Sequence, residues 1–316
     1  MRNTSKEMRH ALGERIAPKM TCRFLTLFVV AALAALLYAP LASADSILGT
    51  ELSSFAVLGA ETVTNTGATT LTGNLGVSPG TAITGKETIT VNGTNAATIG
   101  NPSVHETDSF AGSAQAQLTT ARGYLDSLVG GTLLAADLTL AGPLSPGVYI
   151  VPFGETNLSG ALTLDGGGNA NAAWVFQMAS SLITSPNSVV NVTNTGSGAG
   201  VYWNVRSDAS IGAYSIFLGN ILALNSIWMY TGATDLCGRA LADVAEVTLQ
   251  NNTLSGVCTG DLAGNYGGLS GGLDVTNGEV TILPYAPTST VPEPATLLLL
   301  GFGLAGLAGA RRKFKK

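Results

Sequence analysis

Short runs of apolar and small polar residues dominate the chain. Residues 69–75, 137–140, 147–151, 161–164, 173–178, 189–193, 201–205, 216–224, 227–231 and 246–249 are rich in Val, Ile, Leu and Thr. Many of them alternate apolar with small polar positions. In extended backbone successive side chains point to opposite sides, so each such run predicts a strand with one buried side. Turn residues punctuate them: Ser78-Pro79-Gly80, Ser145-Pro146-Gly147, Asp165-Gly166-Gly167-Gly168-Asn169 and Gly196-Ser197-Gly198. One stretch has another period. Ala114, Leu118, Ala121, Leu125 and Leu128 recur at spacings of 4, 3, 4 and 3, the narrow apolar stripe of an amphipathic helix. Ser103 and Glu106 have the spacing of a capping box, and Gly130-Gly131 offers a stop. The pattern predicts a single helix over about residues 104–129, lying along something flat and apolar. No strict repeat is visible, so a β-sandwich and a solenoid with irregular coils both fit.

The two ends have their own logic. Residues 24–41 are apolar and follow Lys19 and Arg23, and Ala42-Ser43-Ala44 places small residues where a signal peptidase reads them. A leader over 1–44 is expected, with the exported chain starting at Asp45; Met20 is a second candidate start. At the far end, Val291-Pro292-Glu293-Pro294 precedes an apolar run, 295–310, and then Arg311, Arg312, Lys313, Lys315 and Lys316. That run is slightly short of the ~20 residues of a full span, and the basic cluster would stay on the cytoplasmic side. The division expected is a leader at 1–44, a body at 45–286, a linker at 287–294 and a tail at 295–316.

Charge and cysteine usage narrow the function. Only 11% of the residues are charged, against a norm of about 25%. Between the two ends stand four cations, Lys86, Arg122, Arg206 and Arg239, against 18 acids. Nucleic acid needs a basic stripe, so that partner is excluded. Cys22 leaves with the leader, while Cys237 and Cys258 remain, an even number in an oxidising compartment; a disulfide and a pair of buried thiols are both open. Catalysis finds little support. His105 is the one histidine left after the leader, so neither a histidine metal cluster nor an ordinary triad is provided for. The Asp165–Asn169 glycine run lacks the full pattern of a calcium-binding repeat and reads as a turn. No enzyme and no cofactor is expected.

Two resemblances add to this. The order Pro-Glu-Pro, apolar run, basic end resembles the PEP-CTERM sorting signal. It implies processing by an exosortase after transient anchoring in the inner membrane of a Gram-negative bacterium, and display at the cell surface or in an exopolysaccharide matrix. The body, from Ala56-Val57-Leu58-Gly59-Ala60-Glu61-Thr62 through Gly76-Val77-Ser78-Pro79-Gly80-Thr81, Ala114-Gln115-Ala116-Gln117-Leu118, Leu144-Ser145-Pro146-Gly147-Val148-Tyr149, Trp174-Val175-Phe176-Gln177 and Gly238-Arg239-Ala240-Leu241-Ala242, is similar to the microbial ice-binding protein family. The similarity runs over roughly residues 47–255. It implies a mainly β chain: a discontinuous right-handed β-helix, a β-solenoid of triangular section, with one long α-helix packed alongside. It also accounts for the missing period, because the coils of such a fold are not consecutive in sequence.

The partner implied is ice, or water ordered as in ice. Thr62, Thr64 and Thr66 alternate and so share one side of a strand. Thr66-Gly67-Ala68-Thr69, Thr81-Ala82-Ile83-Thr84 and Thr231-Gly232-Ala233-Thr234 fit the Thr-Ala/Gly-x-Thr pattern associated with that family's ice-binding faces. A β-branched threonine has few rotamers, so stacked strands hold its methyl and hydroxyl as a stiff grid. The candidate contacts are Thr62, Thr64, Thr66, Thr69, Thr81, Thr84, Thr231, Thr234 and Thr248, of which the period of two allows only a subset on one face. The rival reading is surface or matrix adhesion to polysaccharide through Trp203, Trp228 and Tyr230. The direction of Trp228 and Tyr230 separates the two, since rings pointing outward would spoil a flat face.

Overall fold

A computed structural model describes residues 46–258, 262, 267–288 and 301–302. The expected leader and nearly all of the expected tail lie outside the described residues. Among the described residues no helix is long and apolar enough to cross a membrane.

The alternating runs form three sheets, parallel except where Thr94–Asn95 pairs antiparallel with Ile89–Val91, and the chain visits them in turn. Sheet 1 has the order Val104–Glu106, Asn74–Val77, Phe55–Gly59, Arg239–Ala242, Asn220–Ala223, Gly200–Val205, Ala173–Met178, Gly147–Val151, Thr132–Leu133. Sheet 2 runs Ala82–Thr84, Thr62–Thr66, Val247–Gln250, Ile227–Met229, Ala209–Ile211, Leu182–Thr184, Thr156–Leu158. Sheet 3 runs from Thr94–Asn95 through Ile89–Val91, Thr69–Thr72, Thr253–Ser255, Thr234–Asp235, Ile216–Phe217 and Val189–Thr195 to Ala161–Asn169. This is the discontinuous solenoid. Coils 55–72 and 74–91 are built first, at one end. The later coils grow from the other end until 239–255 meets 55–72, with Val57 opposite Ala240, Thr64 opposite Thr248 and Thr70 opposite Thr253.

One helix, α1 (Ser109–Ser127), connects the two ends. Its 19 residues span about 28 Å at 1.5 Å each, roughly six strand spacings of ~4.8 Å. Ala111, Ala114, Leu118, Ala121 and Leu125 are buried on the outer side of sheet 1, together with Leu58, Leu222, Leu241, Val175 and Tyr202. Polar tethers fix its path. Gln115 Nε2 donates to the carbonyls of Ala242 and Asp243 at 3.0 and 2.7 Å, and Arg122 pairs with Asp243 at 2.8 Å. Farther along, Asn204 Nδ2 donates to the Arg122 carbonyl, and Gln177 Nε2 to those of Leu125 and Leu128. The last two serve carbonyls that a helix end leaves without intrahelical partners.

Four local expectations change, the first at Gly73 (φ 125°), where the run 69–75 breaks into Thr69–Thr72 on sheet 3 and the start of Asn74–Val77 on sheet 1. The helix starts at Ser109 rather than 104. Residues Val104–Glu106 instead add a strand to sheet 1, because an open edge beside Asn74–Val77 accepts them. The cap is therefore Asp108, whose side chain accepts from the Ala111 amide at 2.8 Å, and not Ser103. Residues 137–140 form no strand; Leu138–Ala141 is a 3-10 turn begun by the Asp137 side chain. The run 216–224 is two strands, broken at Gly219, whose φ of 110° and lack of a Cβ let Trp203 approach.

Inside the solenoid, Phe176 and Trp203 stack with centroids 4.2 Å apart. Cys237 and Cys258 are joined by a disulfide. Beside it Arg239 is wholly buried. It donates to Asn220 Oδ1 and Ser270 Oγ at 2.7 Å each, and to the carbonyls of Ser53 and Gly267. Burial pulls the guanidinium down to about 10; these acceptors keep it satisfied and tie residues 267–270 to the last coil.

Candidate functional site

The inner side of sheet 2 is fixed by burial of Val63, Ile83, Ile211, Ile227, Met229, Val247 and Leu249. Parity then sends their neighbours outward. Strand register aligns these into one row: Thr84, Thr64, Thr248, Trp228, Ser210, Ile183 and Asn157. On one side of it Thr62 stands opposite Ala82, and on the other Thr66 stands opposite Gln250. Thr62, Thr64, Thr66, Thr84 and Thr248 thus lie on three adjacent strands, about 4.8 Å apart across the sheet and about 6.6 Å along a strand. A carboxylate borders them: Glu246 shares the outward parity of Thr248, falls beside Thr62 by register and accepts from the Trp228 indole. The threonine hydroxyls bond no other described residue, which leaves them to water.

The other threonines singled out in the sequence go elsewhere. Thr69 is buried at 1% exposure; its hydroxyl donates to Asn65 Oδ1 at 2.6 Å and accepts from the Asn252 amide. Its burial follows from the turn at Gly67, which rotates the chain from sheet 2 into sheet 3. Thr81 is exposed in the turn before Ala82–Thr84. Thr231 sits at the next corner with its hydroxyl donated to Gln250 Oε1 at 3.1 Å. Thr234 is on sheet 3.

Sheet 3 holds a second row: Thr90, Thr70, Thr253 and Thr234, followed by Ile216, Val189 and Ala161. Thr70, Thr90 and Thr253 gave no sequence signal beyond the ordinary strand preference of threonine. Only their shared register, created by the closing of distant coils, sets them in line.

Trp228 and Tyr230 point outward from sheet 2. Ile227 and Met229, which alternate with them, are buried, and Tyr230 is 45% exposed. The flat threonine field therefore ends at Val247–Gln250. Trp203, the third aromatic considered for surface contact, is fully buried, because parity within Gly200–Val205 turns it onto Phe176. His105 lies on Val104–Glu106 with Nδ1 2.7 Å from Asp108 Oδ2 and its ring against Phe55 and Phe110. Asp165 accepts from the Gly167 amide and Asn194 Nδ2, and those bonds hold its carboxyl below the usual range. No group of three or more His, Cys, Asp or Glu among the described residues is placed to hold a metal ion.

Comparison with known proteins bears on the family and the fold. A family model described as Ice-binding-like matches residues 57–255, and one for the PEP-CTERM protein-sorting motif matches 290–313. An ice-binding protein of Nostoc sp. (strain HG1) is 38% identical over 278 residues, covering 87% of this chain and 90% of its own. Among solved structures, an ice binding protein from an Antarctic biological consortium superposes with a TM-score of 0.58 at 34% identity, over 67% of this chain and 91% of its own. The ice-binding protein of the Antarctic ascomycete Antarctomyces psychrotrophicus does so with 0.59 at 33%, over 67% and 98%.

Proposed function

This chain belongs to the Ice-binding-like family, and from that premise we propose that it binds ice through the threonine field of sheet 2. The observation that carries the choice of surface is the field itself: Thr62, Thr64, Thr66, Thr84 and Thr248, in register on three strands, their hydroxyls unspent on the described residues. Each side chain offers a methyl group, which orders water around it, and a hydroxyl, which anchors that water. Restricted χ1 freedom means little entropy is lost when the layer forms. Parallel strands repeat the pair at fixed intervals, so the ordered water becomes a patch that merges with a crystal plane. Ala82 keeps one side of the patch low.

The sheet 3 row, Thr90-Thr70-Thr253-Thr234, supports a second reading of which surface works, because it places four threonines on four consecutive strands.

The PEP-CTERM motif carries exosortase-mediated export to the cell surface. Around it we place removal of residues 1–44 by signal peptidase, a body over 45–286, a linker over 287–294, and brief anchoring of 295–316 in the inner membrane of a Gram-negative bacterium. The function is tested on protein purified from cells, by recrystallisation inhibition and thermal hysteresis. Ice crystals that coarsen at the buffer rate at high protein concentration would remove the proposal. Mass spectrometry of the same sample is expected to find Asp45 first and nothing after about Pro294.

A further inference from the structure

Where the threonine field stops, rings begin. Trp228 follows Thr248 in the outward row, and Tyr230 projects two residues farther along the same strand side. One coil away, Tyr214 stands 62% exposed at the turn from sheet 2 into sheet 3. Its amide donates to the Thr231 carbonyl at 3.0 Å, which stacks the two turns directly.

Tyr214 is out of place by every local criterion. The same turn in neighbouring coils is made by Asn187, Gly232, Asn251 and Gly67, linked from coil to coil by main-chain hydrogen bonds. All have left-handed backbone, with φ between 55° and 80°. Asparagine and glycine accept that conformation; a bulky side chain does not. Tyr214 adopts it all the same, at φ 57°. The coil beside it makes room. A Cβ on Gly232 would lie 2.7 Å from Tyr214 Cδ1, so the ring rests on bare glycine backbone and is held against the corner. Trp228 is fixed as well, its indole N–H donating to Glu246 Oε1 at 3.3 Å. The Gln250 amide and Thr231 hydroxyl, bonded to each other, border the rings.

We infer that Trp228, Tyr230 and Tyr214 form a platform for a neutral polysaccharide strand. Aromatic faces bind the C–H faces of pyranose rings by dispersion and by the quadrupole of the ring. The bordering carboxylate, amide and hydroxyl bond the sugar's equatorial hydroxyls. Two rings spaced along one coil and a third at the corner of the next match an extended chain rather than an isolated sugar. The sign of the charge selects among polysaccharides: 18 acids against four bases in this part of the chain repel an acidic polymer. The platform adjoins the threonine field at Thr248 but shares no residue with it, and the inference does not rest on the ice reading.

The test uses the full chain, with cellohexaose and laminarihexaose as neutral probes and an alginate hexamer as the acidic one. Trp174 and Trp203 are wholly buried, so a change in tryptophan emission reports on Trp228. The neutral hexamers are expected to shift that emission and alginate is not. Tyr214→Asn restores the residue type that neighbouring turns use, so it is expected to melt at or above the parent temperature. It should bind the neutral hexamers about two- to tenfold more weakly, with recrystallisation inhibition unchanged. The inference is overturned if neither neutral hexamer binds, if alginate binds as well as they do, or if Tyr214→Asn binds them as tightly as the parent.

Discussion

On the outer side of sheet 1, the row Leu58, Leu241, Leu222, Asn204 and Gln177 is covered by α1. On the outer side of sheet 2, the row Thr84, Thr64 and Thr248 lies open. The backbone is the same parallel ladder in both, yet the two rows answer different demands. Under the helix water is excluded, so polar groups there are left to protein partners; the side-chain NH2 groups of Asn204 and Gln177 donate to helix carbonyls, while Asn204 Oδ1 stays buried without a partner among the described residues. On the open sheet the threonine hydroxyls have no partner among the described residues, and that is what makes them available to ordered water. A side chain is therefore legible only together with what covers it. Sheet 1 strands such as Gly200–Val205 are buried at every position, while Thr62–Thr66 alternates.

This contrast is most easily broken from the covered side. Leu118 on α1 is fully buried against sheet 1. Leu118→Ala is expected to cost about 2–5 kcal/mol, the transfer and cavity terms together. Thr64→Ala on the open row should stay within about 0.5 kcal/mol. Urea denaturation of both variants measures the difference. Equal losses would mean that sheet 2 is covered in solution, and the threonine field would no longer be a free surface.

A smaller effect sharpens the comparison at the helix start. Burial pushes the Asp108 carboxyl up, but the Ala111 amide and the His105 ring outweigh it and hold the group below the usual carboxylate range. A folded-state value that is depressed contributes stability above the unfolded value of about 4, and that contribution is lost as pH falls through the folded value. An asparagine in its place would cap nearly as well but does not titrate. Asp108→Asn is therefore expected to be less stable than the parent at pH 7 by no more than a few tenths of a kcal/mol, since Asp108 is largely exposed. The gap should close as the pH is lowered from 5 to about 3. A gap that stays constant through that interval would show that the carboxylate's charge plays no part in the cap.

Much of this fold was readable as pattern. The strands, the helix stripe at Ala114, Leu118, Ala121 and Leu125, and the family resemblance together specified a solenoid with one helix alongside. The helix start was misread because Ser103 and Glu106 have capping-box spacing, while the open edge of Asn74–Val77 claims Val104–Glu106 as a strand. The candidate surface was harder to read. Thr64 and Thr248 are neighbours only because the first coil stacks on the last, a contact that no local rule encodes. The Thr66-Gly67-Ala68-Thr69 segment hides a turn, which sends Thr66 outward and Thr69 inward. Tyr214 drew no attention in the sequence, since its oddity appears only beside Asn187, Gly232 and Asn251 in the same turn of other coils.

The smallest expected effect on stability decides the most about function. Thr64 is the centre of the sheet 2 field, with Thr62 and Thr66 along its strand and Thr84 and Thr248 across it. Thr70 holds the matching position on sheet 3, between Thr253 and Thr90. Both side chains point outward, so a tyrosine at either place projects into solvent without disturbing the core, and melting should move by no more than the scatter of ordinary surface substitutions. A ring at Thr64 stands at the centre of that layer and lifts all four neighbouring threonines off the crystal, whereas the native Trp228 ring borders the field at its edge. Thr64→Tyr is thus expected to abolish recrystallisation inhibition, while Thr70→Tyr keeps most of it. The reverse outcome would transfer the working surface to the Thr90-Thr70-Thr253-Thr234 row. Loss in both would mean that each sheet contacts ice, and a planar grid of five threonines on sheet 2 would then be too small a description of the surface.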